Sequence, residues 1–283
     1  MGERLYSSAK QLSNLQVRLM TSIVLIPIAL IASILGDVFF LLALLPVMCV
    51  GMLEFYLMEK NTTMQGSTIT GLLAGILVVI AFYLHTEWLW QATLIGCIVF
   101  IGILEFSRQP KQSYHTLVQV GVTLCGLLYI AFPTAFLVAI RNIPSDGFMW
   151  LLIVFAITWG TDTFAYIFGR LFGKTKLAPL ISPNKTVEGA LGGIFGAWIP
   201  ALLILLIAGK LNMIIAPMII IGPFLAVTGD LFESALKRFF KVKDSYIEGL
   251  NIFPGHGGVL DRIDALVWVA TWVFLYLYIV GII

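Results

Sequence analysis

Nine runs of 16 to 24 mainly apolar residues divide the chain, each close to the length that carries a helix across a bilayer. They are Leu19–Leu35, Val38–Leu57, Ile69–Leu84, Trp88–Leu104, Leu117–Ile140, Phe148–Phe168, Ala190–Ala208, Met213–Thr228 and Ala265–Ile283. Lipid offers no partner to a backbone N–H or C=O, so runs of this length must close their own hydrogen bonds as helices. Composition agrees, because 60% of residues are hydrophobic and only 11% are charged. A water-soluble surface needs about 25% charged residues, which excludes a soluble enzyme, a disordered chain, a collagen and a disulfide-stapled secreted domain. The expected fold class is an all-α membrane protein, a polytopic bundle of about nine transmembrane helices. Pro27, Pro46, Pro133 and Pro200 lie inside runs, where neighbouring helices can satisfy the freed carbonyls. The first run is longer than a signal-peptide core and is read as a retained span. Ahead of it, residues 1–18 mix Arg4 and Lys10 with Leu5, Tyr6, Leu12 and Leu15, as in an interfacial helix or a tail.

The positive residues orient the bundle. With the N-terminus cytoplasmic, 15 of the 17 Lys and Arg fall in inner segments, and only Arg141 and Lys210 fall outside. That split requires an odd number of spans, so the C-terminus is expected on the opposite side. A net charge of +2 is too balanced to suggest nucleic-acid binding. Residues 19–147 read as an N-terminal transmembrane region of about five spans. Residues 148–283 read as a catalytic transmembrane region with cytoplasmic loops 169–189 and 229–264. Cys49, Cys97 and Cys125 sit singly in apolar runs and have no metal spacing. A short echo, Met52-Leu-Glu-Phe55 and Ile103-Leu-Glu-Phe106, places Glu54 and Glu105 at the inner ends of even-numbered spans. Both are candidates for interior pairing, since a carboxylate facing lipid is costly.

The two cytoplasmic loops hold the chemistry. Residues 229–264 carry 11 of the 32 charges in the chain. On a helix, Asp230, Glu233, Ser234, Lys237, Arg238 and Lys241 share one face, and Leu231, Phe232, Ala235, Leu236, Phe239 and Phe240 share the other. A surface helix capped by Asp230 and Glu233 would explain the two faces. It would not explain why acids and bases share a stripe, an arrangement suited to a divalent cation beside phosphates. Pro254-Gly-His-Gly-Gly258 follows, with bare backbone able to line an anion site and His256 at its centre. Asp261, Arg262 and Asp264 then open the last span, where acids also suit a helix start. In the other loop, Ser182-Pro-Asn-Lys-Thr-Val-Glu-Gly189 offers hydroxyls, a lysine and a carboxylate at a helix start, with Thr186 or Ser182 as a possible cap. Gly169-Arg-Leu-Phe-Gly-Lys-Thr175 is not a phosphate-binding P-loop, having one residue too few between its glycines and no preceding strand.

The run Ser234-Ala-Leu-Lys-Arg238, Lys243-Asp244, Pro254-Gly-His-Gly-Gly258 and Asp261-Arg-Ile-Asp264 resembles the signature of the phosphatidate cytidylyltransferases, the CDP-diacylglycerol synthases. Trp159-Gly-Thr-Asp162, Ala165-Tyr166, Gly173-Lys174 and Ser182-Pro-Asn-Lys-Thr186 resemble the same family. Residues 245–253 make the segment before the glycine turn longer than the family pattern, an extension that costs little entropy in a surface loop. The resemblance implies transfer of CMP from CTP to phosphatidate, giving CDP-diacylglycerol and pyrophosphate at the cytoplasmic face of the cell membrane, by a homodimer. It implies Asp230 and Asp261 as ligands of Mg²⁺, with a second cation such as K⁺ beside it and Asp244 and Asp264 assisting. Lys237, Arg238, Lys243 and Arg262 would clamp phosphates near His256. Ser182, Lys185, Thr186, Ser234, Gly255, Gly257 and Gly258 would contact substrate, with Asp162 supporting from within the membrane. Related enzymes that use CTP on other lipids, a CDP-archaeol synthase or a polyprenol kinase, are the nearest alternatives. A transporter would place charged or broken helices near mid-bilayer, whereas most charges here cluster at one membrane face, with Glu54, Glu105 and Asp162 as exceptions.

Overall fold

The computed structural model describes residues 26–58, 66–84, 86–108, 113–242, 245 and 258–283. The helices are α1 (Ile26–Leu35), α2 (Asp37–Met58), α3 (Thr68–Tyr83), α4 (Glu87–Arg108), α5 (Ser113–Gly126), α6 (Phe132–Arg141), α7 (Gly147–Phe172), α8 (Val187–Ile207), α9 (Ala216–Phe239) and α10 (Leu260–Ile279). One wider turn, Leu127–Ala131, joins α5 to α6 into a single rod. Proline causes that turn. Pro133 has no N–H and its ring crowds the carbonyl of Tyr129, so the ladder opens and the Phe132 N–H reaches back five residues to Leu127.

Eight of the nine apolar runs land on one rod each, and the described part of the first, from Ile26, lies on α1; residues 1–18, expected as an interfacial helix or a tail, lie outside the described residues. Among the described residues, seven rods are long and apolar enough to cross a membrane, while α1 and α3 are shorter. The all-α bundle expected from hydropathy is therefore the architecture. One small exception was not legible: Lys176–Ala178 (β1) and Ser182–Thr186 (β2) form an antiparallel hairpin between α7 and α8, with Lys176 opposite Thr186 and Ala178 opposite Ser182.

The bundle is held at two kinds of contact. Phe82, Trp90, Phe132, Phe136 and Phe274 interlock α3, α4, α6 and α10, with Phe136 and Phe274 stacked at 4.2 Å between centroids. On the other side α8 lies directly on α7. A Cβ at Gly193 would meet the Thr161 carbonyl at 2.7 Å, and one at Gly189 would meet the Ala165 carbonyl at 2.9 Å, so small residues set how closely these helices approach.

The helices extend past the apolar runs that marked them. α9 continues from Ala216 to Phe239, so the mixed-charge stripe is the last part of a membrane helix, not a separate surface helix. Asp230 and Glu233 consequently cap nothing, and Lys241, with φ at 58°, lies beyond the helix end. α10 likewise begins at Leu260, five residues ahead of its apolar run. Hydropathy stops at the first charge, whereas a helix continues wherever its backbone bonds can, and Glu, Lys and Arg are good helix formers.

Candidate active site

The described residues of loops 169–189 and 229–264 converge where the end of α9, the start of α10 and strand β2 meet. Asp230, Glu233 and Lys237 recur at helical spacing on α9 and so share a face. Lys237 Nζ lies 2.5 Å from Glu233 Oε2 and 2.5 Å from Asp261 Oδ1 of α10, bridging the two helices. The ammonium donates a hydrogen bond to Asp261 and forms an ion pair with Glu233 one turn earlier on its own helix. All three side chains are withdrawn from solvent: Glu233 is 1% exposed, and Lys237 and Asp261 are each 13% exposed. The second carboxylate oxygen of Asp261 accepts the Gly258 N–H at 2.8 Å. Asp264, one turn along, is buried and accepts the Ala265 N–H at 2.7 Å.

The hairpin supplies the other wall. Lys185 of β2 pairs with Asp230. Arg238 donates to the Ile181 carbonyl at 3.2 Å, so it ties the hairpin turn to α9. Thr186 caps α8, its hydroxyl accepting the Gly189 N–H at 3.2 Å, which fulfils the capping role foreseen for it. Glu188 accepts the backbone N–H groups of Lys174 and Thr175 at 3.1 Å, fixing the first strand to the start of α8. Ser182 is half-buried in β2, and Ser234 is buried on α9. Lys243, Asp244, Gly255, His256 and Gly257 lie outside the described residues.

A cleft of about 630 Å³ lies between α1, α2, α7 and α10. Its walls are apolar, including Ala32, Ala43, Val47, Trp159 and Ile263, and its polar lining residues are Asp162, Thr163 and Arg262. Arg262 follows Asp261 on α10, so the cleft adjoins the acid and base cluster.

Two residues absent from the expected site belong to its immediate structure. Glu233 is the innermost carboxylate of the cluster, and its signal was the lysine four residues on. Glu54 of α2 is 4% exposed and reaches the start of α10. Its signal was a carboxylate in an apolar run, although no pattern could name a partner some 200 residues away.

Carboxylate oxygens are hard donors suited to Mg²⁺. Among the described residues no three His, Cys, Asp or Glu gather into a metal cage. Mg²⁺ commonly takes one or two protein carboxylates and completes its shell with substrate phosphates and water, so Asp230 and Asp261 remain a fitting donor set.

The pattern of the cytidylyltransferase family matches residues 16–280. A phosphatidate cytidylyltransferase of Bacillus subtilis is 32% identical over 273 residues, covering 93% of this chain and 98% of that protein. One of Staphylococcus aureus is 32% identical over 267 residues, covering 90% and 96%. One of Staphylococcus haemolyticus is 37% identical over 185 residues, covering 65% and 68%. Likeness extends through the N-terminal spans as well as the charged loops, and the chain belongs to the cytidylyltransferase family.

Proposed function

We propose that this chain transfers CMP from CTP to phosphatidate, forming CDP-diacylglycerol and releasing pyrophosphate. The observation that carries the lipid half is the apolar cleft that reaches Arg262 beside the charged cluster. A diacyl substrate needs an apolar berth for its tails and a cation for its phosphate in one continuous space, and this cleft offers both.

A phosphate oxygen of phosphatidate attacks the α-phosphorus of CTP, and the bond to the β-phosphate oxygen breaks. No protein nucleophile is required, so the work is alignment and neutralisation of charge. Arg262 receives the lipid phosphate. Lys185, Lys237 and Lys243 neutralise the triphosphate, and Gly255, His256, Gly257 and Gly258 contact its phosphates. Asp230 and Asp261 would hold Mg²⁺, which would neutralise phosphate charge and stabilise leaving pyrophosphate; Asp244 and Asp264 would support them, and a second cation such as K⁺ would add to the same neutralisation. Arg238 and Thr186 act through the hairpin, on whose strand Ser182 and Lys185 face the nucleotide. The site faces the cytoplasm, where CTP is found, and two copies of the chain assemble as a homodimer.

The test is detergent-purified protein supplied with labelled CTP, Mg²⁺ and phosphatidate, with an archaeal ether lipid phosphate and a polyprenol as rival acceptors. CDP-lipid formed from phosphatidate is expected. Product formed from a rival acceptor alone, or full activity in Asp261→Asn, would overturn the assignment.

A further inference from the structure

The start of α10 carries a backbone problem that its own sequence does not solve. The first N–H groups of any helix lack intrahelical partners, and Val259, the residue ahead of α10, has no side chain able to cap them. Glu54, near the C-terminal end of α2, does so from outside. Its Oε1 accepts the Val259 N–H at 2.9 Å and its Oε2 accepts the Leu260 N–H at 2.7 Å. Ser245, buried in the connection between α9 and α10, donates to the same Oε2 at 3.4 Å. The packing leaves no slack, because a Cβ at Gly258 would collide with both the Glu54 carboxylate and the Ser245 hydroxyl.

A carboxylate is also the group that a helix N-terminus favours, and charge-assisted bonds to backbone N–H groups are the stronger kind. The next residues along α10 are Asp261 and Arg262. With Val259 and Leu260 held, and Gly258 bound to Asp261, the rotation and height of the first turn of α10 are set by Glu54.

We infer that Glu54 is a positioning residue for the reaction, a capping carboxylate contributed by α2 that aims Asp261 and Arg262 of α10 at the reacting phosphates. This rests on the function proposed above. It also assigns the N-terminal spans a part in catalysis beyond burial.

The test uses the full chain in detergent, with Glu54→Gln and Glu54→Asp measured against wild type and against Glu105→Gln, a second buried carboxylate remote from the cluster. Gln offers one amide an acceptor but turns an N–H₂ towards the other, and Asp is too short to reach both. Two readouts are taken on monodisperse protein: kcat and KM for CTP, and hydrogen exchange of the amides at 259 and 260. Glu54→Gln is expected to lower kcat at least tenfold with KM changed much less, and to speed exchange at both amides. Glu54→Asp should fall between, and Glu105→Gln should keep the wild-type kcat. Faster exchange with kcat within twofold of wild type would make Glu54 a structural cap only and overturn the inference. Unchanged exchange would overturn it as well. If Glu54→Gln yields no monodisperse protein, Glu54→Asp decides by the same two criteria. Wild-type protein inert with CTP and phosphatidate would sink the proposed function, while exchange would still report whether Glu54 holds the turn.

Discussion

Lys185 on β2 forms an ion pair with Asp230 on α9, so opposite charges join the hairpin to the acid-bearing helix. Both side chains keep partial access to solvent, and a pair of that kind contributes only about 0–1 kcal/mol to stability. A lysine aimed at the developing charge of a phosphoryl transfer is worth much more to the rate. Lys185→Ala is therefore expected to lower kcat by about 10²-fold, the scale seen when one charge-stabilising donor is removed. Its unfolding temperature should stay within a few degrees of wild type. Thermal denaturation and CTP turnover on the same preparation check both halves.

Lys237 separates stability from activity in the opposite sense. Its ammonium compensates Glu233 and Asp261 together, and Glu233 is almost wholly buried. Lys237→Met strands that carboxylate, and breaking a buried pair costs about 3–5 kcal/mol. Replacing both partners with apolar residues of similar size is often neutral. Lys237→Met with Glu233→Leu should regain most of the lost stability, and CTP turnover should stay abolished. Recovery of turnover in the double variant would remove Lys237 from the chemistry.

Metal dependence follows from the carboxylates. Asp230 and Asp261 each rest against a lysine. If they also serve as Mg²⁺ ligands, chelation with EDTA should stop turnover and added Mg²⁺ should restore it. In Asp230→Asn the Mg²⁺ concentration for half-maximal rate should rise at least tenfold. Turnover that survives exhaustive chelation would sink the metal assignment.

Much of the fold was legible because a bilayer imposes one rule on every span. The nine apolar runs and the rods correspond, and the mixed-charge stripe from Asp230 to Arg238 lies on a helix as its spacing implied. The helix ends were less legible. A hydropathy boundary marks where apolar side chains stop, whereas α9 and α10 end or begin where backbone hydrogen bonds do. The hairpin was hidden for a related reason. Its strands are three and five residues long and hold their place through Lys185, Arg238 and Glu188, contacts that span elements. Glu54 marks the limit of local reading. A carboxylate in an apolar run announces that it must be satisfied, but its partners are backbone groups beyond seven further helices.

Orientation can be read with one cysteine. Leu180 at the hairpin turn is 93% exposed, and the native Cys49, Cys97 and Cys125 all lie within membrane-helix segments. Leu180→Cys is expected to react with a membrane-impermeant maleimide in inverted vesicles and not in intact cells. Labelling from outside intact cells would reverse the proposed topology.

The cleft yields the sharpest separation of the two substrates. Ala43 of α2 lines its apolar wall, away from the Lys185, Lys237 and Asp261 cluster. Ala43→Trp would place a large ring in the space assigned to acyl chains and leave every charged group in place. A methylene-scale misfit in an apolar pocket already costs about 1–3 kcal/mol, and an indole is far larger. The KM for phosphatidate is expected to rise at least tenfold, while the KM for CTP stays within twofold. A shorter-chain phosphatidate should recover part of the loss, because less tail competes with the ring. Equal effects on both substrates would mean that the cleft is a structural void, and the lipid berth would have to lie elsewhere in the bundle.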